Sequence, residues 1–200
     1  MYKIMVEKGY HTLSNHHIRS TYNDFELVKF KEAVSRAFIH SEINSVLDYG
    51  CGGSDWENQI LFDGQSAKTY FKVDVVKRFE PARDLDERSL VDAVVCFDVL
   101  EHIFVSDVPN VLRDIFQYAQ KLVVINVACY EANALLPNGE NAHVTNRHPI
   151  WWKGVIDVIA TEFPAVEVYL LCSTAYNSAE GFPIFNDAKR HVEKNYVIDY

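Results

Sequence analysis

The sequence predicts an α/β fold in which helices cover both faces of a mostly parallel sheet, a three-layer sandwich. Three observations point there. Apolar runs at 46–47, 91–97 and 121–128 suit strands buried on both faces. Segments with an apolar residue every three or four positions alternate with them. Acidic residues and glycines fall just after the strands, where such sheets hold ligands.

The elements follow in order. Residues 1–24 are polar and aromatic, with Tyr10, His11, His16, His17, Arg19 and Tyr22. They are expected to form an N-terminal arm with a short helix, either a surface lead-in or a cover over a site. A single domain over 25–200 follows. Phe25, Val28, Phe30, Ala33, Val34, Ala37 and Phe38 predict a helix over 25–41. Residues 45–49 read as the first strand and 56–62 as a short helix or turn. Residues 70–76 alternate well enough for a second strand, ending near Asp74, with a short third strand around 79–83. Residues 91–97 give the fourth strand, 105–118 a helix, and 121–128 the fifth strand. A long loop with Pro137, Gly139 and several Asn residues occupies 129–150. Helix 149–160, opened by Pro149, and strand 166–172 come next. A second excursion over 173–190 precedes a short last strand at 196–198.

Two hundred residues suit one domain with a core of its own. The four cysteines lack close metal-ligand spacing, and no metal is expected. Three of them sit in apolar or strand-like runs, which reads as reduced cytosolic cysteine. No segment has the length and apolarity of a membrane span, and the N-terminus does not read as a signal peptide. The chain is therefore expected to be cytoplasmic. A net charge of −9 argues against long stretches of nucleic acid held through phosphates.

Val46-Leu47-Asp48-Tyr49-Gly50-Cys51-Gly52-Gly53 is the stretch around which the chain is organised. Its glycines let the backbone turn sharply and approach a ligand closely. The longer dinucleotide fingerprint, Gly-x-Gly-x-x-Gly, is not met, because Asp55 stands at its last position. Trp56 just beyond is either a lid or a core anchor. Cys51 reads as a small buried residue.

Together with Val94-Val95-Cys96-Phe97-Asp98-Val99-Leu100-Glu101-His102, and with Asp74, this stretch resembles the class I S-adenosylmethionine-dependent methyltransferases, over roughly residues 25–128. The resemblance implies a Rossmann-like sheet of seven strands, the last antiparallel, and S-adenosyl-L-methionine as cofactor. It implies that Gly50 and Gly52 pass close to the methionine part and that Asp48 faces its amino group. Asp74 would accept from the ribose hydroxyls. Asp84 and Leu85 would flank the adenine, and Phe97 and Asp98 would lie under the middle of the cofactor.

Methyl transfer needs an aligned acceptor and excluded water, with a base only for a poor nucleophile. His143, in the loop after strand five, and His102, after strand four, are the candidates. Arg19, Arg147 and Trp151 are candidates for the acceptor, with Lys153 near them. Such cations suit an anionic molecule such as a phosphorylated sugar. A small molecule or glycan precursor is therefore expected as acceptor, and a homodimer is compatible with so small a chain. The rivals are a non-catalytic cofactor-binding module or partner subunit, a nicotinamide-dependent oxidoreductase, and a macromolecular methyltransferase. The last lacks an added recognition domain or an Asn-Pro-Pro-Tyr run.

Overall fold

The computed structural model describes residues 1–19 and 26–175, and the backbone of two strands at 184–186 and 191–192. Helix α1 (Tyr2–Lys8) leads to strands β1 (Tyr10–Thr12) and β2 (His17–Ile18). A tight helical turn, Glu26–Phe30, runs into α2 (Lys31–His40) and then β3 (Ser45–Tyr49). A small hairpin, β4 (Ile60–Phe62) and β5 (Gln65–Ser66), precedes α3 (Ala67–Phe71), β6 (Val75–Glu80) and β7 (Leu85–Asp86). Then come β8 (Val91–Phe97), α4 (Val108–Gln117), β9 (Ala119–Ala128), β10 (Ala134–Leu135), α5 (Pro149–Ala160), β11 (Glu167–Ser173), β12 (Ile184–Asn186) and β13 (His191–Val192).

The main sheet runs β13-β12-β11-β9-β8-β3-β6-β7. Its centre, β11-β9-β8-β3-β6, is parallel, and β7, β12 and β13 join antiparallel. This is a Rossmann-like α/β sheet with eight strands among the described residues rather than seven. The strand expected at 196–198 lies outside the described residues.

Successive residues of the central strands feed opposite layers. Val46, Ala93 and Val95 pack with α2, α3 and Trp56, whereas Leu47, Val94 and Cys96 pack with α4 and α5. Burial on both faces is why the middles of β8 and β9 are almost wholly apolar. In α4, Val108, Leu112, Ile115 and Phe116 face the sheet. In α5, Trp152 is fully buried and its neighbour Trp151 half-buried.

The second strand differs from the expectation. Ser66 caps α3 by accepting the Thr69 N–H, so Tyr70 and Phe71 are helical. Lys72 ends that helix in the left-handed region, φ 56°. Residues 75–79 then pair with 45–49. The sheet strand is thus five residues later than its apolar pattern suggested, and the turn Pro81–Arg83 takes the place of the third strand.

Residues 1–19 pack on the loop after β9. β1 pairs with both β2 and β10. Met5 is buried with Ala132, Leu136 and Ala142. The Tyr2 hydroxyl donates to Ala142 O at 2.8 Å. Among the described residues, no helix is long and apolar enough to cross a membrane.

Candidate active site

One wall of the site is the glycine turn after β3. Gly50 has φ +76°, and a Cβ there would stand 2.4 Å from Val99 Cγ2. Both the conformation and the contact require glycine. The N–H groups of Gly50 and Cys51 donate to Phe79 O at 2.7 and 3.1 Å. The Gly52 N–H donates to the Glu80 carboxylate at 3.0 Å. The turn is thereby stitched to the carboxyl end of β6.

Asp48 is buried behind this turn. One of its carboxylate oxygens accepts from Ser54 Oγ at 2.7 Å and from Trp56 Nε1 at 2.8 Å. Burial raises its pKa, and these two hydrogen bonds oppose that rise. Trp56 is therefore a core anchor that also orients an acid. Burial, with Asp48 and Glu80 nearby, pushes the Cys51 thiol up to about 12, so it is no nucleophile at neutral pH.

The opposite wall follows β8. Asp98 adopts φ +57°, a left-handed conformation uncommon for a residue with a side chain. The turn Leu100–His102 comes next. Glu101 is fully buried, and its Oε1 accepts the Ala128 N–H at 2.6 Å. Burial first, then the charge of Asp98 and a hydrogen bond with it, raise its pKa well above the usual carboxylate range. Thr145 secures the loop after β9 to the same turn, through its N–H to Glu101 O and its hydroxyl to Ile103 O.

That loop brings His143 to His102, with ring centroids 4.9 Å apart and the planes nearly perpendicular. His102 Nδ1 lies 2.9 Å from Ala142 O, and His143 Nδ1 lies 2.6 Å from Tyr130 O. A carbonyl only accepts, so Nδ1 carries the proton and Nε2 is the basic nitrogen in each neutral ring. Burial lowers the His102 pKa, partly offset by Asp98. Donor atoms of Asp98, His102 and His143 all lie within 4.8 Å of one another.

The two walls enclose a cavity of about 430 Å³. Asp48, Gly50, Gly52, Phe97, Asp98, His102 and His143 line it. So do Glu26, Tyr130 and Glu131, which sequence reasoning did not single out. Tyr10 and residues 132–134 also line it, which places the arm and the loop after β9 on its rim.

The remaining candidates lie elsewhere. Asp74 precedes β6, and its N–H donates to Asn44 O at the amino end of the sheet. It stands about five residues of strand, roughly 16 Å, from the glycine turn. The acid at the carboxyl end is Glu80, whose signal was the Phe79-Glu80-Pro81 junction. Asp84 is exposed and ion-paired with Lys3 at 2.6 Å. Leu85 belongs to the edge strand β7. Arg19 and Arg147 are exposed, and Arg147 lies 6.0 Å from the Trp151 ring. Lys153 pairs with Asp157 one turn along α5. None of these lines the cavity, and no Lys or Arg among the described residues does.

A family model described as a methyltransferase domain matches residues 18–153, more than half of the chain. The chain belongs to this family of class I methyltransferases. No curated protein and no solved structure matched it significantly.

Proposed function

We propose that the protein transfers a methyl group from S-adenosyl-L-methionine to a small-molecule acceptor. The carrying observation is one acid-lined cavity that opens between the glycine turn at Gly50–Gly52 and the turn after Asp98. Its volume suits a small-molecule cofactor site. Glu26, Asp48, Asp98 and Glu131 give it a negative field, which favours a ligand with a sulfonium and an ammonium. A pyrophosphate would be repelled there, which disfavours a nicotinamide cofactor.

When bound, the cofactor supplies a methyl group already activated on sulfur. The chain does the rest. Gly50 and Gly52 admit the methionine part, and Asp48, held by Ser54 and Trp56, faces its ammonium. Phe97 and Asp98 lie beneath its middle. Glu80 takes the ribose role first given to Asp74, because it is the acid at the correct end of the strand. Asp84 and Leu85, expected beside the adenine, are given no cofactor contact, because both lie outside the cavity wall. His143 and His102 stand at the acceptor end, where a basic Nε2 can take a proton from a weak nucleophile. Tyr10 and the loop after β9 exclude water.

The acceptor is proposed to be neutral or cationic. A sugar hydroxyl fits, whereas a phosphorylated sugar finds no Lys or Arg in the cavity wall among the described residues. Titration of S-adenosyl-L-methionine into the purified chain, with NADH as comparison, tests this. Binding of NADH alone, or of neither, would overturn the proposal.

A further inference from the structure

We propose that Asp98, His102 and His143 form a binding site for a divalent first-row transition ion. Three donor atoms from two separate segments converge to within 4.8 Å in the cavity wall. In a tetrahedral site with bonds of about 2.1 Å, ligand atoms stand roughly 3.4 Å apart, so the side chains need to close by up to roughly 1.4 Å, within reach of side-chain rotation.

The surroundings fit an ion as well. Each imidazole has its Nδ1 against a main-chain carbonyl, Ala142 O or Tyr130 O. That contact fixes the tautomer and aligns the ring, as it does for metal-bound histidine, and leaves Nε2 as the ligating nitrogen. The Tyr2 hydroxyl, which donates to Ala142 O, braces the same carbonyl. Asp98 is held in the left-handed region, a strained conformation of the kind that functional sites retain. Buried Glu101 accepts the Ala128 N–H at 2.6 Å and so anchors the turn that carries His102. Two imidazoles and a carboxylate select zinc, manganese or iron over magnesium or calcium, which prefer oxygen alone.

This inference deepens the methyltransferase proposal and names its acceptor class as a hydroxyl compound. With the ion present, both Nε2 lone pairs are ligands, so the ion rather than a histidine activates the acceptor. A hydroxyl oxygen bound to the ion loses its proton to water near neutral pH. That oxygen then forms the new O–C bond as the S–C bond breaks, and sulfur keeps the electron pair. The ion changes neither charge nor oxidation state.

The test uses the full chain stripped with chelator and titrated with Zn²⁺ and Co²⁺, against Mg²⁺. About one Zn²⁺ per chain is expected, with visible Co²⁺ absorption showing imidazole ligation. His143→Ala and Asp98→Asn should each weaken Zn²⁺ by roughly tenfold or more, while His40→Ala on the surface leaves it unchanged. Absence of stoichiometric binding, or equal affinity in the two site variants, would overturn the site. If His143→Ala does not fold, Co²⁺ absorption of the native chain decides alone, and a spectrum without imidazole ligation overturns it. S-adenosyl-L-methionine titrated into the stripped chain separates the two proposals. Cofactor binding without Zn²⁺ binding sinks the ion site and keeps the methyltransferase proposal. Zn²⁺ binding without cofactor binding does the reverse.

Discussion

Trp56 and Asp48 are joined by a buried hydrogen bond, indole Nε1 to carboxylate at 2.8 Å. The indole also packs against Phe71, with ring centroids 5.8 Å apart. One side chain thus closes the core beneath α3 and fixes an acid beneath the glycine turn. Trp56→Phe keeps most of the apolar contact and removes the donor. A buried carboxylate that loses a partner costs about 1–3 kcal/mol. We expect urea unfolding to show that loss and cofactor titration to show weaker binding. Unchanged values in both would mean that Ser54 alone holds Asp48.

Glu80 and Asp74 make opposite predictions. Glu80 lies beside the glycine turn, and its carboxylate accepts from Gly52 and Ala82. Asp74 lies at the far edge of the sheet. Glu80→Ala should weaken S-adenosyl-L-methionine by roughly tenfold or more, the value of a charge-assisted hydrogen bond. Asp74→Ala should change it by less than about twofold. The reverse result would move the ribose site to the other end of β6.

The same pair shows what a sequence can and cannot reveal. Residues 93–97 and 122–128 are legible because burial on both faces forces apolar side chains at every position but Asn126. The Gly50 turn is legible because no other residue fits. The second strand lies later than expected because Tyr70 and Phe71 look extended by composition, while a Ser66 cap makes them helical. β6 itself, with Lys77 and Arg78 among half-buried positions, carries little apolar signal. Strands β1, β2 and β10 are two or three residues long and exist only because they pair with one another. Arg19 and Arg147 read the same whether they face a cavity or water. The meeting of His143 with Asp98 depends on how Thr145 ties down a loop, which no local pattern encodes.

Asp92 should make stability depend on pH. It accepts from the N–H groups of Asn44 and Ser45 and pairs with Lys121 at 3.0 Å. Burial works to raise its pKa, and these donors outweigh it, so the net shift is downward. Below its unfolded value, about 3.9, the unfolded chain binds the proton more readily than the folded one. Its contribution is therefore complete above about pH 4–5 and is lost as pH falls through the folded value. Asp92→Asn should lower stability at pH 7 and flatten the fall between about pH 5 and 3, read by urea midpoints. Parallel curves for the two proteins would show that Asp92 has no such role.

Gly50 and Val99 pack directly against each other. The φ of +76° and the 2.4 Å approach to Val99 Cγ2 act independently. Gly50→Ala should lose roughly 1–2 kcal/mol from the left-handed backbone alone, with the clash added. Val99→Ala in the same chain removes the clash and leaves the backbone cost. The double variant should therefore recover part of the stability lost by Gly50→Ala. Its cofactor affinity should stay low, because the added methyl occupies the approach to the turn. A double variant that regained full affinity would show that the ligand passes elsewhere, and the cavity between β3 and β8 would no longer be the methyl-donor site.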